Sequence, residues 1–195
     1  MQNYPLDLSF KIFTIGTRVG VTDASGKPVA YVRKKKFKLR EDVMVYRDEG
    51  QSEALFRLQA DRILDFGASY AVTAPDGRLL GHVRRQGVRS LWRSAYGIAD
   101  ASGKEVGGIR EENPWVKVAD AVLEMIPFAD VLDGLFFNPA YRIELRGEPV
   151  LRLQKSRALL ESRFRLEKLG DFGEGDENLL LASVVMMLLL ERERG

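Results

Sequence analysis

The most informative pattern in the chain is an apolar run with no polar face. Leu179 to Leu190 reads LLLASVVMMLLL, with Ser183 as its one polar residue, Glu174, Asp176 and Glu177 ahead of it, and Glu191, Arg192, Glu193 and Arg194 behind. A helix that faces water carries a polar stripe every three or four residues, so one that is apolar all round has to be covered all round. Crossing a bilayer takes roughly 18–20 apolar residues, more than this run supplies. The pattern therefore predicts a core helix, over about residues 177–193, wrapped by the rest of the chain.

What precedes it has the period of strands. Short apolar segments with alternation recur at Leu8–Ile15, Val19–Thr22, Val29–Val32, Val43–Tyr46 and Ala54–Leu58, and later at Tyr141–Leu145, Val150–Gln154 and Ser162–Leu169. The turns between them repeat as well: Asp23-Ala-Ser-Gly26, Asp48-Glu-Gly50, Pro75-Asp-Gly77 and Asp100-Ala-Ser-Gly103. Glycine supplies positive φ there, and aspartate can bond its own backbone. The glycines lie 24, 27 and 26 residues apart, which marks a repeated unit of about 25 residues.

Alignment on those glycines brings out a second regularity. Seven residues after each stands an arginine: Arg33, Arg57, Arg84 and Arg110. The residue before it is apolar (Val32, Phe56, Val83, Ile109), and the one two earlier still is small (Ala30, Ala54, Gly81, Gly107). Side chains two apart share a strand face, so the small and apolar positions line one face and the arginine leaves from the other. Small inward residues let a helix approach a sheet closely. Gly147 opens a fifth, imperfect copy in which Arg152 is displaced by two positions and keeps the same face.

The gap of 44 residues from Gly103 to Gly147 implies an insertion at 113–139. Within it, Trp115–Ile126 has helical apolar spacing that Pro127 ends, and Phe128–Phe137 is apolar apart from Asp130 and Asp133. About twelve strands are expected in total. Eight-stranded barrels are filled by their own side chains and sixteen-stranded ones enclose a channel. Twelve gives a bore suited to one helix about 10 Å across. The expected fold is mainly β (α+β): a closed antiparallel barrel of about twelve strands around a central buried C-terminal helix, with one helical insertion. It forms a single domain over residues 1–195.

The segment Tyr31-Val-Arg-Lys-Lys-Lys-Phe-Lys-Leu-Arg40, the stretch Asp65-Phe-Gly-Ala-Ser-Tyr-Ala-Val72, the Asp-x-x-Gly hairpins and the closing apolar helix together resemble the LURP-one-related proteins. Those belong with the tubby C-terminal domain and the phospholipid scramblases. The resemblance spans nearly the whole chain and implies a twelve-stranded barrel threaded by a C-terminal helix. For activity it implies binding of phosphoinositide headgroups, as in tubby-like domains, or a calcium-linked role at membranes, as in scramblases. No headgroup residue carries over position by position.

Charge narrows the chemistry. Thirty Lys and Arg against 28 Asp and Glu leave +2 overall, so any basic signal is local and a general nucleic-acid partner is disfavoured. Two local signals stand out: Arg33, Lys34, Lys35, Lys36, Lys38 and Arg40 around Phe37, and Arg84, Arg85, Arg89 and Arg93 around Trp92. Such clusters hold lipid phosphates electrostatically while an aromatic ring enters the interface, and Phe136 and Phe137 are further candidates for membrane contact. The competing reading is that barrel corners expose solvated Lys and Arg paired with nearby acids. The acidic loop Asp171-Phe-Gly-Glu-Gly-Asp-Glu177 offers hard oxygen ligands for calcium but lacks the spacing of a calcium loop, and acids before a helix suit its dipole. No metal or cofactor site is expected.

Catalysis finds no motif. His82 is the one histidine and lies mid-strand, Glu111 and Glu112 face opposite sides, and no nucleophile elbow or phosphate-cradling glycine loop occurs. The chain contains no cysteine and shows no export signal, which fits the cytoplasm, at a membrane periphery if lipid is the partner. The expected function is a non-catalytic module that engages anionic phospholipid or phosphoinositide headgroups through a basic rim. A protein-interaction scaffold using the insertion is the alternative, and scramblase-like lipid movement is a third reading.

Overall fold

The computed structural model describes residues 1–11, 17–34, 42–60, 69–86, 95–112, 139–156 and 162–192. Twelve strands follow one another in the order β1 (Leu6–Lys11), β2 (Thr17–Thr22), β3 (Pro28–Lys34), β4 (Asp42–Tyr46), β5 (Ala54–Ala60), β6 (Ser69–Thr73), β7 (Leu79–Arg85), β8 (Ala95–Asp100), β9 (Glu105–Glu111), β10 (Ala140–Leu145), β11 (Glu148–Ser156) and β12 (Ser162–Lys168). Each strand pairs antiparallel with its sequence neighbours, and β1 pairs with β12, so the sheet closes into a barrel with no edge. Among the described residues one helix, α1 (Glu174–Arg192), follows. It begins three residues earlier than the apolar pattern alone suggests, because Glu174, Asp176 and Glu177 form its first turn.

Alternation sorts the side chains into two shells. Inward residues face one another across the ladders, as in Val19↔Val32 and Val32↔Val45, and again in Val83↔Ile98, Ile109↔Ile143 and Leu153↔Leu166. Leu166 in turn faces Leu6, which completes the ring. Val32, Phe56, Val83 and Ile109, the apolar positions of the repeat, are all fully buried. Arg33, Arg84 and Arg110 are exposed and Arg57 and Arg152 are half-buried, on the opposite face.

The bore holds α1. All twelve residues from Leu179 to Leu190 are buried, none more than 7 % exposed. That includes Ser183, whose hydroxyl donates to the Leu179 carbonyl at 2.7 Å and so brings no unmet polar group into the core. The helix runs along the barrel axis. Its first turn meets the β10–β11 turn through Arg146 and Asp176, and its last turn meets Tyr96 at the start of β8 through Glu191. Gly81 is one of the small inward positions, and a Cβ there would come within 3.0 Å of the Leu179 side chain.

Two features of the hairpins differ from the expectation or add to it. Gly26, Gly77, Gly103 and Gly147 all have φ between 82 and 89°, but in the second hairpin the positive φ belongs to Gln51 (57°) and not to Gly50. There Asp48 accepts from the Gly50 amide at 2.8 Å, and the loop is two residues longer than in the first, third and fourth hairpins. Every hairpin also carries a β-bulge just past its turn, at Val29, Leu55, Leu80, Val106 and Val150. Bulges sharpen local twist, and five in register curl the sheet enough to close.

The turns are held by their aspartates. Asp23 accepts from the Ser25 amide and hydroxyl and the Lys27 amide at 2.9, 2.6 and 3.0 Å, and Asp100 repeats the set with Ser102 and Lys104 at 2.9, 2.6 and 3.1 Å. The serine hydroxyls hold both carboxyls below their ordinary pKa, Arg57 does the same for Asp42, and Arg47 for Glu53. A depressed folded-state pKa contributes stability above the unfolded carboxylate range, and this is lost as pH falls through the folded value. Denaturant midpoints should therefore hold level from neutral pH to about 5 and fall below about 4. A double Asp23→Asn, Asp100→Asn variant should show a shallower fall. A midpoint flat down to pH 2 would contradict this.

Candidate functional site

With α1 filling the bore, recognition chemistry belongs to the two ends and the outer wall. The end that carries the tight turns is closed by internal pairing. Arg146 donates to Asp176 at 2.9 and 3.0 Å, and Lys168 to Asp171 at 3.0 Å. The Met1 ammonium reaches Glu174 at 3.3 Å, and the Gln2 amide donates to Glu177 at 2.8 Å. Tyr4 packs edge-on against Phe172 with ring centres 6.0 Å apart. Burial and the neighbouring Glu177 push its phenol well above the ordinary range. The acids of the 171–177 loop are thus matched to cations, amides and a phenol. Among the described residues no cluster of metal-ligating side chains occurs.

At the opposite end Tyr96, fully buried, donates to Glu191 at 2.7 Å and tethers the end of the helix to the wall. Here β3 and β7 finish, each with one of the expected arginines. Arg33 and Arg84 are exposed, and neither has a charged partner among the described residues. Arg33 lies directly opposite Arg18 across the β2–β3 ladder. Like charges so placed repel one another. Arg18 has only a long contact to Glu49, at 3.7 Å. Arg85, half-buried, is engaged.

Most of the other outward arginines, Arg110 apart, are matched. Arg57 pairs with Asp42, Arg47 with Glu53 and Arg165 with Asp7, while Arg142 and Arg152 share Glu112 at 3.3 and 3.1 Å. Arg110, Arg142 and Arg152 sit side by side on β9, β10 and β11. The repeat placed Arg110 and Arg152 on this face. Arg18, and the adjacency of Arg142, follow only from strand register and carry no signal of their own.

Several expected residues lie outside the described ones: Lys35, Lys36, Phe37, Lys38, Arg40, Arg89, Trp92, Arg93, Phe136 and Phe137, together with the helix expected over 115–126. Of Lys34 the strand is described. His82 is half-buried on the outer face of β7. Glu111 points inward and is buried, while Glu112 meets Arg142 and Arg152, so the two adjacent carboxylates do diverge. Among the described residues no helix is long and apolar enough to cross a membrane.

Comparison of the chain with protein-family models, with curated proteins and with solved structures finds no match.

Proposed function

We propose that the protein is a non-catalytic module that captures anionic phospholipid headgroups at the end of the barrel where β3 and β7 finish. The observation that carries this reading is the facing pair Arg18, half-buried, and Arg33, exposed, with Arg33 lacking an acidic partner among the described residues. Most arginines of this wall are matched to carboxylates. Two cations held against one another are stabilised by an anion placed between them, and guanidinium binds phosphate oxygens in a bidentate fork. Arg84 is a further exposed cation on this face, and its side chain reaches back toward the β8–β9 turn, with Nη2 4.0 Å from where a Gly103 Cβ would stand. In sequence, Lys35, Lys36, Lys38, Arg40 and Arg89 follow closely on these strands, a local excess of basic residues in a chain that is nearly neutral overall.

Each basic residue near an anionic surface contributes about 1 kcal/mol, and salt screens the attraction. The twelve-stranded barrel threaded by a helix is also the fold implied by the resemblance to LURP-one-related and tubby-like proteins, and that family is part of the proposal. The test is co-sedimentation with vesicles of phosphatidylcholine alone, or with phosphatidylserine or a phosphoinositide added. Binding is expected only to the anionic vesicles, should weaken with salt, and should drop about tenfold or more in an Arg18→Ala, Arg33→Ala variant, the loss of roughly 2 kcal/mol at two charges. Absence of binding at low salt, or binding unchanged in that variant, would overturn the reading.

A further inference from the structure

The outer wall over β8, β9 and β10 contains a cleft of about 640 Å³, the size of a small-molecule site. It arises from a break in the repeat. The outward position just after each bulge carries a large side chain in four hairpins: Tyr31, Arg57, His82 and Arg152. In the β8–β9 hairpin that position is Gly108, and the residue opposite it across the ladder is Gly97. Two neighbouring strands thus carry no side chain of their own where the fold elsewhere builds one, and the Gln86 amide and Glu105 carboxylate border the gap, 3.6 and 3.8 Å from where a Gly97 Cβ would stand. The first hairpin shows that this wall can bury a ring there, since Tyr31, opposite Gly20, is only 8 % exposed.

The charges around the floor are arranged unlike those on the rest of the wall. The lining contains Lys104, Arg110 and Arg146 against Asp100, Glu105 and Glu144. Arg146 is committed to Asp176, and Asp100 to its own turn. The side chains of Lys104, Arg110, Glu105 and Glu144 make no hydrogen bond or ion pair with any described residue. Elsewhere neighbouring acids and arginines zip together, yet here both signs line one cleft unmatched. Glu144 is in the row of Gly108, and Arg110 stands two residues, about 7 Å, along the strand from it.

From this geometry we infer that the β8–β10 wall binds a small zwitterion, of dipeptide size, bearing a ring. The ligand's carboxylate meets Arg110, its ammonium meets Glu144 with Glu105 beside it, and its ring lies on the Gly97–Gly108 floor in the place the repeat gives to Tyr31. A single phosphate or a fatty chain would leave one sign of charge unanswered. This site uses different chemistry from the Arg18–Arg33 pair, although Arg84 stands opposite Gly97 across the β7–β8 ladder.

The test is calorimetric titration of the full chain with glycyl-L-phenylalanine, and with N-acetyl-L-phenylalaninamide, which has the ring but neither charge. Saturable binding of the dipeptide is expected with Kd below about 1 mM, and at least about tenfold weaker binding of the uncharged analogue. Arg110→Ala and Glu144→Gln, both surface changes, should each weaken the dipeptide about tenfold or more. Gly97→Phe should remove binding by filling the floor. It should still fold, because a Cβ at Gly97 meets nothing closer than the Gln86 amide nitrogen at 3.6 Å. No saturable binding up to about 5 mM, or equal binding of the uncharged analogue, would overturn the inference. So would dipeptide affinity unchanged in Arg110→Ala and Glu144→Gln.

Discussion

Replacing Val185 by aspartate is expected to leave the chain unfolded, or folded only as a minor population, at room temperature. Val185 is fully buried at the middle of α1, with helix neighbours and strand side chains on every side. The groups that satisfy the acids of α1 are at its ends: the Arg146 guanidinium, the Gln2 amide and the Tyr96 hydroxyl. None is within reach of the mid-bore. An unpaired carboxylate buried there costs about 4 kcal/mol or more, either as a charge or through its forced protonation. Domains of this size are typically stable by only about 5–15 kcal/mol, so one such change removes most or all of the margin. Val185→Ile, which keeps the chemistry and nearly the volume, should cost less than about 1.5 kcal/mol. Circular dichroism and urea titration of the pair measure the contrast. A Val185→Asp variant with a wild-type midpoint would mean that this side chain reaches water.

The second large effect concerns backbone closeness in the wall. Adding a Cβ at Gly107 would push it well inside contact distance of the Glu144 carbonyl oxygen, and at Gly81 into the Ala99 carbonyl oxygen and the Leu179 side chain. Both glycines follow a bulge, at Val106 and Leu80, where the strand bends toward its neighbour. The obstacle in each case is backbone, which cannot swing aside as a long side chain does. Gly107→Ala and Gly81→Ala should therefore each cost about 2–3 kcal/mol, in the range of overpacked cores. Gly97→Ala is the matched control, since that position is also a strand glycine yet a Cβ there makes only ordinary contacts, the nearest being Gln86 Nε2 at 3.6 Å. Its thermal midpoint should stay within a degree or two of wild type, a shift corresponding to only a few tenths of a kcal/mol. If all three behaved alike, the cost would lie in β-propensity and not in the bulges.

The parts of this fold that could be read from sequence are those in which one physical demand acts on many adjacent residues. Leu179–Leu190 has to be apolar on all faces to lie within a sheet, and that leaves an unmistakable run. The hairpins were legible because a turn that needs positive φ selects Gly and one that bonds its own backbone selects Asp, at a nearly constant interval. Where another residue met the same demand the signal failed: Gln51, not Gly50, takes the left-handed conformation. The bulges left no mark, because Val29, Leu55, Leu80, Val106 and Val150 are the residues any strand would use.

The candidate sites divide along the same line. A run such as Arg33-Lys-Lys-Lys is visible as composition, whereas the repulsion between Arg18 and Arg33 exists only in the register of β2 against β3. Gly97 and Gly108 look like two ordinary glycines until the ladder sets them side by side. The acidic loop 171–177 was ambiguous for the opposite reason. Its charges were plain, but Arg146, Lys168 and Gln2, which answer them, are scattered along the chain.

The central claim is that α1 is enclosed by strands on every side, and the absence of cysteine from the chain makes it directly testable. Four variants carry one cysteine each, at Val184, Val185, Met186 or Met187, and successive positions on a helix turn by about 100°, so the four sample all its faces. Each is exposed to a water-soluble thiol reagent in the native state and after denaturation. The expected result is that all four are unreactive until the protein unfolds and react fully afterwards. A helix lying on the outside of the barrel would present at least one of these positions to water, and rapid native-state labelling at any of the four would contradict the account.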